Sequence, residues 1–238
     1  MNIDHVEIQQ LMRQMVDLGI ADNLKLWVHN GLVKTRTSGS DLFVPKAYDI
    51  SGQENDAAQS TEDNQPKLVS LGMEFDGSND NLYVGNGTNN SLIFHTGTIV
   101  FWMKTPASIS NIQRMFWNNS AYGIRISVNR VLQTYDWITS TTRTSNTNVW
   151  ALNTWQMLAF VFVHNSANQS FAYINASNVW TTTTGGTSGQ GLYIGRFQFN
   201  ETEYFNGTLN DIRLFNTALT SAQIAAIYNA TKSKYGHS

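Results

Sequence analysis

The chain has no cysteine, and Asp, Glu, Lys and Arg make up only 13% of its 238 residues, about half the usual share. The lack of Cys excludes disulfides, thiolate zinc sites, iron–sulfur clusters and a Cys nucleophile. The sparse charge argues against a coiled coil or long helical bundle, whose outer faces need Glu, Lys and Arg. There is no cationic block and the net charge is −2, so binding nucleic acid through phosphate neutralisation is not expected. Long apolar runs are missing too. Met157 to Val163 is among the longest, far short of the ~18–20 residues of a spanning helix, so no membrane insertion is expected. The first residues lack a cationic start followed by an apolar stretch and do not read as a secretory signal. The expectation is a protein that stays in the cytosol where it is made, or leaves by lysis or within an assembly, with a secreted or cell-surface protein as the alternative.

What is present is amide and hydroxyl polarity, from 26 Asn, 20 Ser and 24 Thr, together with 12% aromatic residues. The aromatics are enough for a sizeable core and argue against disorder. Asp4 and Glu7 have capping-box spacing. Ile8, Leu11, Met12, Met15 and Leu18 then recur at intervals of three and four up to Gly19, predicting an amphipathic helix over residues 1–20. Two roles stay open for it: lying across its own domain, or docking on a neighbour through an apolar stripe. Residues 24–30 alternate as a strand. Residues 31–67 are polar and turn-rich, and Asn55 to Gln65 reads as a surface loop. From residue 68 onward, short runs rich in Val, Ile, Phe, Tyr and Trp are split by Gly, Asn, Ser and Thr, the pattern of an all-β sandwich or barrel. Thr220 and Gln223 form a second capping box ahead of a short apolar helix.

Several of these runs resemble one family. Met73 to Val84 is similar to the "FDG-x-x-D-x-L-x-V" strand pair of laminin-G-like, concanavalin-A-like jelly rolls. Gly97 to Lys104 resembles the "F-x-x-x-F-W-x-K" strand that follows it. Trp155 to Val161, Tyr173 to Asn175, Leu192 to Arg196 and Phe205 to Asn216 resemble its "W-x-H-V-A", "Y-I-N-G", "L-x-I-G" and "F-x-G-x-I-D-D-V-R-I-Y-N" elements. Tyr48 to Ala57 resembles the loop that often precedes the first pair. Asn81, Ala176 and Asn210 depart from the pattern, and residues 1–23 fall outside it. The resemblance implies a two-sheet antiparallel jelly-roll sandwich over residues 24–238, with residues 1–23 as a helical docking segment and a short C-terminal helix. Within the strand-like run Gly97 to Lys104, alternation puts Phe101 and Met103 on one face and Val100 and Trp102 on the other.

No reaction centre stands out. Glycoside hydrolases need two carboxylates beside the scissile bond. The candidate pair, Glu201 and Glu203, two residues apart, lies in a polar loop that offers little to hold it. The five His show no metal-ligand spacing, and neither a nucleophile elbow nor a P-loop is present. No cofactor is expected to be required. The resemblance implies an optional calcium ion, with Asp76, Asn79, Asp80 and Asp211 as candidate ligands; the favoured alternative is that Asp76 and Asp80 bond turn amides and Asp211 is a buried acid in its strand. Glycan binding would use an aromatic platform beside amides. Trp117 and Trp137 with Asn118 and Asn119 are the leading candidates, and Trp150 and Trp180 with Asn178 the next.

Two functions follow. One is a structural component of a virus particle, of phage type, such as a capsid decoration, head-fibre or tail-associated subunit. It would dock on other virion proteins or on copies of itself through Ile8, Leu11, Met12, Met15 and Leu18. The other is a glycan-binding adhesin or carbohydrate-binding module that meets host-surface glycans. An enzyme ranks third.

Overall fold

The structure, a computed structural model, describes residues 5–85, 92, 96–118, 122–136, 140–163, 170–183, 191–197 and 203–238. A helix, α1 (His5–Asp17), leads into strands β1 (Leu24–Ser38), β2 (Asp41–Asp49), β3 (Ala57–Ala58), β4 (Lys67–Val69), β5 (Gly72–Asp76), β6 (Leu82–Val84), β7 (Gly97–Lys104) and β8 (Gln113–Asn118). Next come β9 (Tyr122–Ser127), β10 (Val131–Asp136), β11 (Thr141–Thr144), β12 (Gln156–Phe162), β13 (Ser170–Ile174), β14 (Ser177–Thr182), β15 (Leu192–Ile194) and β16 (Asn206–Phe215), then α2 (Ser221–Thr231) and a final 3₁₀ turn.

Every strand pair is antiparallel. One layer runs β14-β13-β12-β7-β16-β5 and the other β11-β10-β9-β8-β15-β6, with β1 to β4 linking them along one edge, so the hydrogen-bonded ladder is continuous. The inner faces meet in one apolar core. Ile99, Phe101, Met103, Leu158, Phe160 and Ile212 come from the first layer, and Leu82, Val84, Phe116, Ile124, Ile126, Leu132, Leu192 and Ile194 from the second. This is the expected sandwich, and β7 alternates as its sequence predicts: Val100 and Trp102 belong to a second core on the outside of the first layer.

That second core explains both helices. Trp27, Val100, Trp102, Met157, Ala159, Val161, Tyr173 and Phe215 form an apolar outer face, which Leu11, Met15 and Ile20 cover from one side and Leu219, Ile224, Ile227 and Tyr235 from the other. Tyr235 stacks on Trp102 at 4.1 Å. The Gln14 side chain donates to the Ala226 carbonyl at 3.0 Å, and the Gln223 amide to the Leu18 carbonyl at 3.2 Å. The capping box at Thr220 and Gln223 is closed in both directions. Asp4, its expected counterpart at α1, lies outside the described residues.

The polar, turn-rich stretch 31–67 holds more regular structure than its composition suggests. Within it β1 runs on to Ser38 and returns through Gly39 and Ser40 as β2. Most of the hairpin's residues are half-exposed, so its strands need little apolar content and the polar sequence conceals them. The segment from Asn55 to Gln65 is not wholly surface either. Ala57–Ala58 is a strand, and Asn55 is buried and donates to the Lys25 carbonyl. Asp49 organises this region: its carboxylate accepts from the backbone N–H of Trp27, Ser51 and Asn55 and from the Ser51 hydroxyl.

Candidate functional site

No described helix covers the outside of the second layer, and the alternation of its strands decides what it displays. With Leu82, Ile124, Ile126, Leu132, Leu192 and Ile194 turned inward, their neighbours face out. Register aligns these neighbours into a row. Tyr135 lies opposite Gly123, Gly123 opposite Trp117, Trp117 opposite Tyr193 and Tyr193 opposite Tyr83. The row crosses five strands, about 19 Å at normal strand spacing. The Tyr83 and Tyr193 rings are 4.6 Å apart, and those of Trp117 and Tyr135 6.1 Å apart. Gly123 is required here, because a Cβ at that position would strike both the Trp117 ring and the Arg114 guanidinium.

A polar row runs alongside. Thr144, Gln133, Arg125 and Arg114 are successive cross-strand partners. Arg125 donates to Gln133 Oε1 at 2.9 Å and Thr142 Oγ1 at 3.1 Å. Arg114 is 1% exposed. Its Nε and Nη2 donate to Glu203 Oε2 at 3.0 and 2.5 Å, and Arg125 Nη1 lies 3.5 Å from Glu203 Oε1. The Arg114 guanidinium packs 4.2 Å from the Phe197 ring centre and 5.0 Å from that of Trp117. Burial pushes Arg114 down to about 10, partly countered by Glu203, so it stays charged at neutral pH.

Glu203 therefore differs from the poorly held loop acid expected of it. The peptide before β16 is tied to the sheet: the Phe205 N–H donates to the Gly195 carbonyl, the Gly195 N–H to that of Met115, and the Arg114 N–H to that of Glu203. Glu201 lies outside the described residues.

The other predicted positions fall as follows. Trp117 is on the outward face but 0% exposed, with Phe197 packed edge-on at 4.6 Å, so it is a floor rather than an open platform. Exposed ring surface is at Tyr83, 37% accessible, next to half-buried Tyr193, while Tyr135 at the far end of the row is half-buried too. Asn118 is buried. Trp137 and Asn119 lie outside the described residues. Trp150 is in the inner core, with Trp180 packed against it, while Asn178 is exposed.

The calcium candidates do not assemble. Asp76 Oδ1 accepts from the backbone N–H of Ser78, Asn79 and Asp80, and Asp80 Oδ2 from that of Asp76. These are turn caps. Burial, aided by Asp76 and Glu74, pushes Asp80 up to about 7. Asp211 is elsewhere, buried under the helices, where it accepts from Trp27 Nε1 at 2.7 Å and from Arg213 Nε and Nη2 at 2.9 and 2.8 Å. Burial opposes its ionisation, but Arg213, His29 and the Trp27 bond outweigh it and hold the carboxyl below its usual value. Among the described residues no three of His, Asp or Glu gather into a metal-holding group, so these residues do not fit a calcium ion as arranged.

The proposed assembly stripe is used within the chain. Leu11 and Met15 are buried, and Ile8, Met12 and Leu18 pack partly buried on the same core. The apolar side chains α1 leaves exposed are Val6 and Val16.

A family model, "Concanavalin A-like lectin/glucanases superfamily", matches residues 76–225. The chain belongs to this superfamily. No curated protein matches it in sequence. Among solved structures this lectin/glucanase-type chain is similar to the botulinum neurotoxin serotype D ligand-binding domain in complex with N-acetylneuraminic acid, with a TM-score of 0.62, 16% identity, and coverage of 89% of this chain and 52% of that one. It also resembles Trypanosoma rangeli sialidase in complex with sialic acid, with a TM-score of 0.66, 13% identity, and coverage of 91% and 34%. The chain thus spans about half the length of the toxin domain and a third of the sialidase. At such identities the likeness is one of fold. No described helix is long and apolar enough to cross a membrane.

Proposed function

We propose that this protein is a non-catalytic glycan-binding module whose ligand lies along the outside of the β10-β9-β8-β15-β6 layer. The observation that carries this reading is the row Tyr135, Trp117, Tyr193 and Tyr83 beside a row of Thr, Gln and Arg side chains, on a sheet face that no described helix covers. Pyranose rings present apolar CH faces to aromatic rings and hydroxyls to amides and guanidinium groups. Superfamily membership supports it, as do structural neighbours solved in complex with sialic acids. Glu203 is committed to two guanidinium groups rather than poised to move a proton, which favours binding over hydrolysis.

The virion reading loses one of its supports, since α1 turns its stripe onto its own domain. Screening the full chain on a glycan array tests the proposal. Specific binding that persists in EDTA is expected, and an array silent with and without metal would contradict it.

A further inference from the structure

The 3₁₀ turn after α2, Lys232–Tyr235, carries a side chain that bridges two other elements. Lys234 Nζ lies 3.2 Å from Glu7 Oε1 of α1 and 2.8 Å from His29 Nε2 of β1. The His29 ring is buried, and its other nitrogen, Nδ1, accepts from the Gly31 N–H at 3.1 Å. Both neighbours of the ring therefore bring protons. A neutral imidazole has one acceptor nitrogen and satisfies one of them; an imidazolium has none and satisfies neither.

The charges around the ring are already balanced. Arg213 and Asp211 face it from β16, Lys234 from the turn and Glu7 from α1. Asp211 accepts from Arg213 and Trp27, and Glu7 from Lys234. A proton added to His29 stands against the Lys234 ammonium while both nearby carboxylates are engaged, and burial pushes the ring down to about 4. His237, three residues past Lys234, differs. Its Nε2 lies 2.7 Å from the Trp155 carbonyl, an acceptor that a neutral or a protonated ring serves equally. Tyr235, next to Lys234, stacks on Trp102 at 4.1 Å and packs 5.0 Å from the Trp155 ring, so the seat of Lys234 controls whether these rings stay covered.

We propose that the C-terminal turn is an acid-opened strap: a proton on His29 expels Lys234, and the turn lifts off β1 and α1 to uncover the Trp102 ring. The device is a buried histidine biasing a two-state segment. It lies on the helix-covered face, away from the aromatic row, and is independent of the glycan reading.

The test is hydrogen exchange of the full chain from pH 7 to pH 3.5, with rates corrected for the intrinsic pH dependence of exchange. The closed ring has a depressed value, and the open ring regains its ordinary 6.5, so closure weakens from 6.5 downward and the loss is complete below 4. Protection over residues 229–238 should fall about twenty-fold by pH 5 and more than about a hundred-fold by pH 3.5, while β7, β12 and β16 keep theirs. His29→Gln, whose amide oxygen accepts from Lys234 at any pH, should abolish the fall. Glu7→Gln, at a side chain 42% exposed, should retain it. A fall that persists in His29→Gln, or disappears in Glu7→Gln, assigns the trigger to a carboxylate and overturns the proposal. Protection lost throughout the chain in step with the turn is acid unfolding of the whole domain and overturns it too, as does a turn whose protection is the same at pH 7 and pH 3.5.

Discussion

The two outer faces of this sandwich are built by the same alternation but are finished differently. Outside β16, β7, β12 and β13 the outward residues are Val, Trp, Met, Ala and Phe, and two helices close over them. Outside β10, β9, β8, β15 and β6 they are Tyr, Trp, Gln, Arg and Gly, and no described helix lies on them. Each face contains one buried arginine. Arg213 is paired with Asp211 two residues away on its own strand, with side chains 1% and 4% exposed, in a bulge where Asp211 takes a φ of +50°. Arg114 is paired with Glu203 from another segment, and that carboxylate is shared and more open. Arg213 takes its carboxylate from its own strand within the helix-covered face, whereas Arg114 shares its carboxylate with Arg125 beside a row whose Trp117 is itself buried.

If this contrast holds, damage should separate into stability on one face and binding on the other. The largest effect belongs to Asp211→Ala, which leaves Arg213 buried and unpaired. It should lower unfolding free energy by about 4 kcal/mol, read by denaturant titration. Next is pH. Burial pushes His29 down to about 4 from its ordinary 6.5; its ring touches Lys234 Nζ at 2.8 Å, which also pairs with Glu7 of α1 at 3.2 Å. With the folded value depressed, the stabilisation is complete above 6.5 and is lost as pH falls through 4. The expected loss is about 3 kcal/mol, measured as denaturation midpoints across that range and absent in a His29→Gln variant. Met15→Ala, in the covered face, should cost about 3 kcal/mol yet leave glycan affinity unchanged. Tyr193→Ala should do the reverse, weakening glycan binding about ten-fold with a smaller change in melting temperature. The smallest effect is expected at Ala176, which takes a φ of +65° in the two-residue turn between β13 and β14. Ala176→Gly should stabilise by about 1 kcal/mol or less.

Much of the fold was legible because its elements carry local signals. β7 announces its two faces through alternation, Thr220 and Gln223 announce a helix start, and the β13–β14 turn sits where the family pattern places one. The destination of α1 was not legible: five apolar residues at helical spacing specify a stripe, but the core that receives it is the outer face of the first layer together with α2, drawn from residues as far apart as Trp27 and Tyr235. The site was half legible. Trp117 was found, yet its exposure depends on Phe197, which reaches it only after β15 docks beside β8. The tyrosines that flank it were missed because each is an unremarkable outward residue of its own short strand. They form a row only through register across five strands, and no single segment encodes that register. Gly123 was the one local clue, a glycine in mid-strand where a neighbour's side chains need the space.

Hydrogen-exchange footprinting of the full chain with and without a bound oligosaccharide tests the central claim most directly. Protection confined to β8, β10, β15 and β6 is the predicted result. Protection over α1 and α2 with that layer unchanged would place the ligand on the wrong face and contradict the account.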